Sequence, residues 1–212
     1  MDRYEYASAG IFSVMTLATV YGLTKITGRV AVHFTSGSPD SYMGVVPGLT
    51  LIPGLAVLIY LLFRYLPEID PLGDNYEDFR EVYELLKVLI LSVLAYAQVM
   101  IVLWNIGFRY GISYMLVPII FSTYYVTGEL IQRSERNWFI GIRNPWTLSS
   151  DEVWDRVHGK FGPVLKAAGL LSLLGFLFPE KGALIYGGPA VLVAVGSTIY
   201  SYLLYREESQ DG

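Results

Sequence analysis

The chain has 212 residues, 53% of them hydrophobic and 16% charged, with a net charge of −4 and no cysteine. The missing cysteine excludes disulfides, thiolate catalysis and cysteine-held zinc or iron–sulfur clusters. The acidic balance, with no basic stripe, argues against direct nucleic-acid binding. The apolar residues cluster into long blocks, which places the chain in a membrane.

Uncharged runs over 6–24, 41–63, 88–108, 110–128 and 182–205 are each long enough to cross a hydrocarbon core of about 30 Å as a helix rising about 1.5 Å per residue. A sixth run, 161–179, qualifies if Lys166 snorkels to the interface. Backbone groups in lipid must pair within their own segment, so the spans are helices. The expectation is an all-α polytopic protein, one membrane domain over 1–212 with six transmembrane helices and a short interfacial helix before the fifth. The N-terminus lacks a basic n-region and reads as a retained first helix. Gly37-Ser38-Pro39-Asp40 marks a turn in the loop over 28–42. Pro47-Gly48 and Pro53-Gly54 predict a kinked or locally opened second span. The acidic connection with Glu68, Asp70, Asp74, Glu77, Asp78, Glu81 and Glu84 reads as a solvated loop. Gln98 and Asn105 in the third span are expected to hydrogen-bond to neighbouring helices. The fourth span contains Pro118, Tyr124 and Tyr125, with Glu129 at its boundary. In the last span Gly187-Gly188-Pro189 and Gly196 permit close helix approach.

Six spans put both termini on one side, together with Arg3, Arg64, Arg80, Lys87, Arg133, Arg136, Arg143, Arg156, Lys160 and Arg206. The other side has Lys25, Arg29, Arg109 and Lys181. Basic loops resist translocation, so both termini are expected in the cytoplasm and the His33 loop outside, in the cytoplasmic membrane of the cell.

The longest polar connection, 131–160, carries the most specific pattern. Pro145 favours an extended Asn144 and stops the incoming helix. Ser149 with Glu152 three residues on reads as a capping box, flanked by Leu148 and Val153 at staple positions. A short helix is expected from Ser150, with Trp154, Val157 and Phe161 on one face, lying on the inner membrane surface. Gly162-Pro163 then opens the fifth span. Trp146 and Trp154 read first as interfacial anchors.

The run from Asn137-Trp138 through Arg143-Asn144-Pro145-Trp146-Thr147-Leu148-Ser149-Ser150-Asp151-Glu152-Val153-Trp154, with His158 following, closely resembles the signature of the SdpI family. Val32-His33-Phe34, Gly37, Pro39-Asp40 and Tyr42 are similar to the small membrane module often found at the start of these proteins, here 1–71, with 161–205 as the last two spans. The chain departs from the family pattern at Ala31, where proline is usual, and at Glu129, where asparagine is common. The resemblance implies immunity against a secreted, membrane-active peptide toxin. In the namesake system it also implies retention of a cytosolic repressor at the membrane.

The candidate toxin- or partner-binding residues are therefore His33, Asp40, Tyr42, Glu129, Asn137, Arg143, Asn144, Pro145, Trp146, Ser149, Glu152, Trp154 and His158. Each has a plainer reading. His33 and Asp40 make a turn-stabilising hydrogen bond, two ligands being poor support for a metal site. Arg143 pairs with Glu152 to lock the loop or docks a cytosolic partner. His158 donates to a neighbouring carbonyl or carboxylate, or titrates near neutral pH. Glu129 is costly in a bundle unless paired or functional. No nucleophile–base pair, phosphate-binding loop or zinc set appears, so neither an enzyme nor a cofactor is expected. The competing readings are a small transporter or channel for an ion or amphiphile, motivated by the prolines, Gln98 and Glu129, and a structural membrane partner docking other proteins. Membrane lipid is a partner in each.

Overall fold

The computed structural model describes residues 3–35, 37–69, 76–138 and 140–211. Helix α1 (Arg3–Lys25) leads into a hairpin of strands β1 (Arg29–Thr35) and β2 (Ser38–Gly44). Helices α2 (Val45–Ile69), α3 (Tyr76–Asn105) and α4 (Ile112–Arg133) follow, then the short α5 (Pro145–Ser149) and the long α6 (Asp151–Ser172). Two 3-10 turns and one π turn lead to α7 (Gly188–Asp211). Five helical segments are long and apolar enough to cross a membrane: Arg3–Lys25, Val45–Pro67, Arg80–Asn105, Ser113–Arg133 and Ala183–Gln210.

The expected sixth span is not among those five. Regular α-helix ends at Ser172, and the apolar run continues as a 3-10 turn, Leu173–Phe176. Gly162-Pro163 opens no new helix. Pro163 lies inside α6, so the interfacial helix expected before the fifth span is the first part of α6 itself. The expected loop over 28–42 is instead the antiparallel hairpin, turning at Gly37, where φ is 80°. Asp70 and Asp74 lie outside the described residues, as does Phe139 of the connection.

The described residues form two compact units. The first comprises α1, the hairpin, α2 and, between Lys87 and Leu116, most of α3, the turn after it and the start of α4. Met15, Ala56, Leu91 and Ala95 make one buried cluster, and Ile26, Val30, Leu49, Ile101 and Val102 another beneath the hairpin. Proline explains a polar contact at the centre of this unit. Pro53 lies inside α2 without breaking it, but it has no N–H to give the carbonyl of Leu49, four residues back. The buried Gln98 supplies the missing donor, its Nε2 lying 2.9 Å from the Leu49 oxygen and 2.9 Å from Thr19 Oγ1. In the same way Pro118 leaves the Tyr114 carbonyl without its helical donor, and the Tyr96 hydroxyl bonds to it. The expected opening of the second span is absent because a neighbouring side chain replaces the lost bond, the usual way a membrane helix tolerates proline.

In the second unit, which includes 117–212, α6 runs between α4 and α7. A Cβ on Gly128 would lie 2.6 Å from the Gly162 carbonyl, and one on Gly162 would lie 2.8 Å from the Gly128 carbonyl. Only two glycines let the backbones approach so closely. Phe161 fills the space over Gly196 and beside Tyr200 on α7. The core here is Ile131, Val153, Val157, Phe161, Leu165, Val193 and Leu204.

Candidate functional site

The connection after α4 is built around two stacked rings. Asn137 makes its first turn: its Oδ1 accepts from the Ile140 N–H at 2.8 Å, and its Nδ2 donates to Glu135 O. Gly141 follows with φ of 132°, a conformation L side chains rarely adopt. Its backbone lies directly on Trp154 and His158, where a Cβ would sit 2.6 Å from His158 Nε2. Ile142 N–H donates to that same Nε2 at 2.8 Å, and Nδ1 donates to the Trp154 carbonyl at 2.8 Å. His158 is thereby fixed as the neutral Nδ1–H tautomer. Burial holds its pKa below the ordinary histidine value, against the opposing effects of the Trp154 carbonyl and Asp155. Trp154 is fully buried and stacks on His158 with centroids 4.0 Å apart; its Nε1–H donates to Ser134 O at 2.8 Å.

Two caps finish the connection. Asn144 is the N-cap of α5 and accepts from the N–H groups of Trp146 and Thr147, while Thr147 Oγ1 accepts from Asn144 N–H, a complete capping box with Pro145 at N1. The box expected at Ser149 and Glu152 is not formed. Ser149 is the last residue of α5 and donates to Pro145 O at 2.6 Å, so Ser150 is the N-cap of α6. Nor does Arg143 pair with Glu152. Arg143 donates to the Trp138 carbonyl, Glu152 pairs with Arg156 at 3.4 Å, and Arg136 holds Asp151 at 2.6 Å.

Three contacts tie this connection to α7. Asn144 Nδ2 donates to Ser201 Oγ at 2.8 Å, Ser150 Oγ donates to Glu208 Oε1 at 2.9 Å, and Trp146 meets Tyr202 edge to face at 5.3 Å. The chemistry is that of a locked joint, with its polar atoms engaged and its aromatic rings stacked. The connection therefore gathers Asn137, Arg143, Asn144, Pro145, Trp146, Ser149, Glu152, Trp154 and His158 in one region. Glu129 belongs to another cluster of the same unit, where Lys166 lies 2.9 Å and Arg133 2.6 Å from its carboxylate. The acid stands between two cations, which meets the requirement that a carboxylate near a bundle be paired.

His33, Asp40 and Tyr42 lie on the hairpin of the first unit. His33 Nδ1 lies 2.6 Å from Asp40 Oδ1, and Thr35 bonds the other carboxylate oxygen. The hydrogen bonds from Thr35 and His33 hold the Asp40 carboxyl below the usual carboxylate range. Among the described residues, no group of three or more His, Cys, Asp or Glu is placed to hold a metal ion. The hairpin is seated on α3: Ala31 N–H donates to Asn105 Oδ1 at 2.8 Å, Asn105 Nδ2 donates to Ala31 O at 3.0 Å, and Phe34 packs against Trp104. Asn105 thus bonds the strand rather than a neighbouring helix.

One cluster escaped the sequence reading. Glu5 of α1 accepts from Lys87 of α3 at 2.9 Å and from the Tyr60 hydroxyl of α2 at 2.7 Å, although Lys87 is only 3% exposed. The signal was a lysine immediately before the uncharged run of the third span, with an acid at the matching end of the first.

Comparison with known proteins agrees with the pattern of the connection. The family described as SdpI/YfhL matches residues 133–201. Over 180 residues, 84% of each chain, the sequence is 25% identical to the immunity protein SdpI of Bacillus subtilis strain 168. No solved structure matches.

Proposed function

We propose, from the match of residues 133–201 to the SdpI/YfhL protein family, that this chain is a multi-pass membrane immunity protein shielding its cell from a membrane-active peptide toxin. The observation that carries the reading is the coincidence of two things. The matched residues contain the connection whose polar groups and rings are locked together, and also the part of α7 to which Asn144 ties it. The similarity to an immunity protein supplies the class of activity.

The reading includes six crossings. Support for α6 as the sixth is its packing between two helices that are each long enough to span. Gly162 lies against Gly128, a Cβ on Gly169 would sit 3.1 Å from the Phe121 carbonyl oxygen and the Tyr125 nitrogen, and Phe161 covers Gly196. Lys166, the charge that weakened this run, is met by Glu129. With six crossings the termini share a side, and the excess of basic residues on that side makes it cytoplasmic. The hairpin with His33, Asp40 and Tyr42 then faces outward, where a secreted peptide arrives. The connection faces the cytosol, where the exposed Trp138 offers a repressor an aromatic contact. Of the two residues that motivate the transporter reading, Gln98 commits its Nε2 to a proline-freed carbonyl, its Oε1 being buried without a partner among the described residues, and Glu129 is met by two cations.

The test is survival of a toxin-sensitive bacterium expressing the chain and challenged with the killing peptide of the namesake system. Protection at verified membrane levels is the expected result. Sensitivity equal to the empty control, with the chain in the membrane, removes immunity to that peptide. Flux measured in reconstituted vesicles then decides for or against the transporter.

A further inference from the structure

The two edges of the hairpin are treated differently. In an antiparallel pair the residues directly opposite each other either exchange both hydrogen bonds or turn both outward. Ala31 sends its N–H and its carbonyl away from β2, to Asn105, whose carboxamide acts as a short third strand closing that edge. Ala31 is opposite Tyr42, so the N–H and carbonyl of Tyr42 must point away from β1, along the other edge. There the sheet stops: among the described residues it has two strands and no third. Ser38, Asp40, Ser41, Tyr42 and Gly44 are all exposed. The Tyr42 carbonyl is held at 2.7 Å by the guanidinium of the exposed Arg29, which stands opposite Gly44 in the ladder.

Charge narrows what can add to this edge. Lys25, Arg29 and Arg109 belong to the same unit near the hairpin and the turn after α3, whereas Asp40 is the single acid of 26–44 and 106–111. Its carboxylate is already taken by His33 and Thr35.

We propose that the free edge of β2, at Tyr42, is a docking strand for an extended peptide that carries a carboxylate. The peptide backbone pairs with the Tyr42 N–H and carbonyl as an added strand. A peptide N–H takes the place of Arg29 on the Tyr42 carbonyl, and the released guanidinium pairs with the peptide carboxylate. The hairpin is already ordered by Asn105 and Trp104, so little ordering cost falls on the protein. The inference rests on the immunity reading for the class of partner, a peptide.

The probe is a short fluorescein-labelled peptide of alternating threonine and valine with a central glutamate. It is titrated by anisotropy against the full chain in phosphatidylcholine nanodiscs. Saturable binding is expected, weakened about tenfold or more when alternate peptide amides are N-methylated, because each lost edge bond counts. Arg29→Gln should weaken the glutamate peptide and leave its glutamine counterpart unchanged. Tyr42→Pro removes the edge donor at a position where a strand tolerates proline and should give the same loss of about tenfold.

The N-methylation series uses the unaltered chain, so a poorly folded variant cannot decide the matter. No saturable binding overturns the proposal, and so does binding indifferent to N-methylation. An Arg29 effect that appears only with phosphatidylglycerol in the disc would assign the cationic rim to lipid and also overturns it. In the survival assay, protection retained by Tyr42→Pro overturns the docking strand and leaves immunity standing. Failure of the intact chain to protect overturns immunity, and the nanodisc titration alone then decides the edge.

Discussion

The pairing of Gln98 with a carbonyl left over by proline makes a sharp thermodynamic prediction. Gln98→Leu removes a donor and keeps roughly the same volume. The Leu49 carbonyl, with Pro53 four residues on and no N–H to replace the amide, is then buried and unpaired. Leaving such a group unsatisfied costs about 1–3 kcal/mol, and interhelical hydrogen bonds within membranes run lower, about 0.6–1.7 kcal/mol. We therefore expect a loss of about 1–2 kcal/mol, a change of roughly five- to thirty-fold in the folded-to-unfolded ratio. Pro53→Ala restores the helical N–H, so in that background the Leu49 carbonyl keeps a donor when Gln98 is lost. The bond to Thr19 disappears in both backgrounds and cancels in the cycle. Reversible unfolding in mixed micelles, followed by tryptophan emission, should give a coupling energy of about 1 kcal/mol between the two positions. Additivity within about 0.3–0.5 kcal/mol would refute the reasoning, because Gln98 would then be stabilising something other than the proline-freed carbonyl.

The same logic predicts that Tyr96→Phe destabilises the chain with Pro118 in place and much less with Pro118→Ala, since only then does the Tyr114 carbonyl have a helical donor; the same micelle assay reads it. Gly141→Ala meets both a positive φ, worth about 1–3 kcal/mol of strain, and a Cβ position 2.6 Å from His158 Nε2, so its unfolding midpoint should fall well below that of Gly10→Ala, where the added carbon meets nothing within 4 Å. His158 is buried neutral with its pKa depressed. Its contribution to stability is therefore present above the unfolded value of about 6.5 and is lost as pH falls below that toward the folded value, because the unfolded chain takes up the proton first. A midpoint that drops between about pH 7.5 and about pH 5.5 in the native chain, and drops less in His158→Gln, is the expected outcome.

Five spans were legible because an uncharged run longer than the hydrocarbon core has few alternatives. Two features of the sequence hid the rest. The hairpin shows strand-like alternation at Val30, Val32 and Phe34, but Ser38-Pro39 reads as a turn, and what makes β2 a strand is its pairing with a β1 fixed from behind by Asn105. The run after Phe161 contains one lysine, and only the tertiary contact to Glu129 accounts for it. At the connection, the adjacent serines Ser149 and Ser150 offered two registers for one cap. The choice fell to Ser150 because α5 already uses Ser149. The better capping signal, Asn144 with Thr147, lacked the acidic third position that marks the commoner box. The stacking of Gly141 on Trp154 and His158 depends on a backbone angle that no residue pattern announces.

The bonding of the connection favours a lock over a relay. For the segment to rearrange and part from α7, the Ile142–His158 and Trp154–Ser134 bonds within it and the Asn144–Ser201 bond to α7 would all have to break. Each break would leave a buried or half-buried polar group, at about 1–3 kcal/mol apiece, more than most ligands supply differentially between two states. A signal passing through this region should therefore carry the connection and α7 together. The chain has no cysteine, so a single engineered pair is free of background. Asn144→Cys with Ser201→Cys replaces side chains whose polar atoms now lie 2.8 Å apart. The reduced form controls for the substitutions themselves. If the two elements move as one body, oxidation leaves survival under toxin challenge unchanged from the reduced form. Protection in the reduced form that vanishes on oxidation would mean the connection swings away from α7 during function, and the locked joint would have to be read as one state of a hinge.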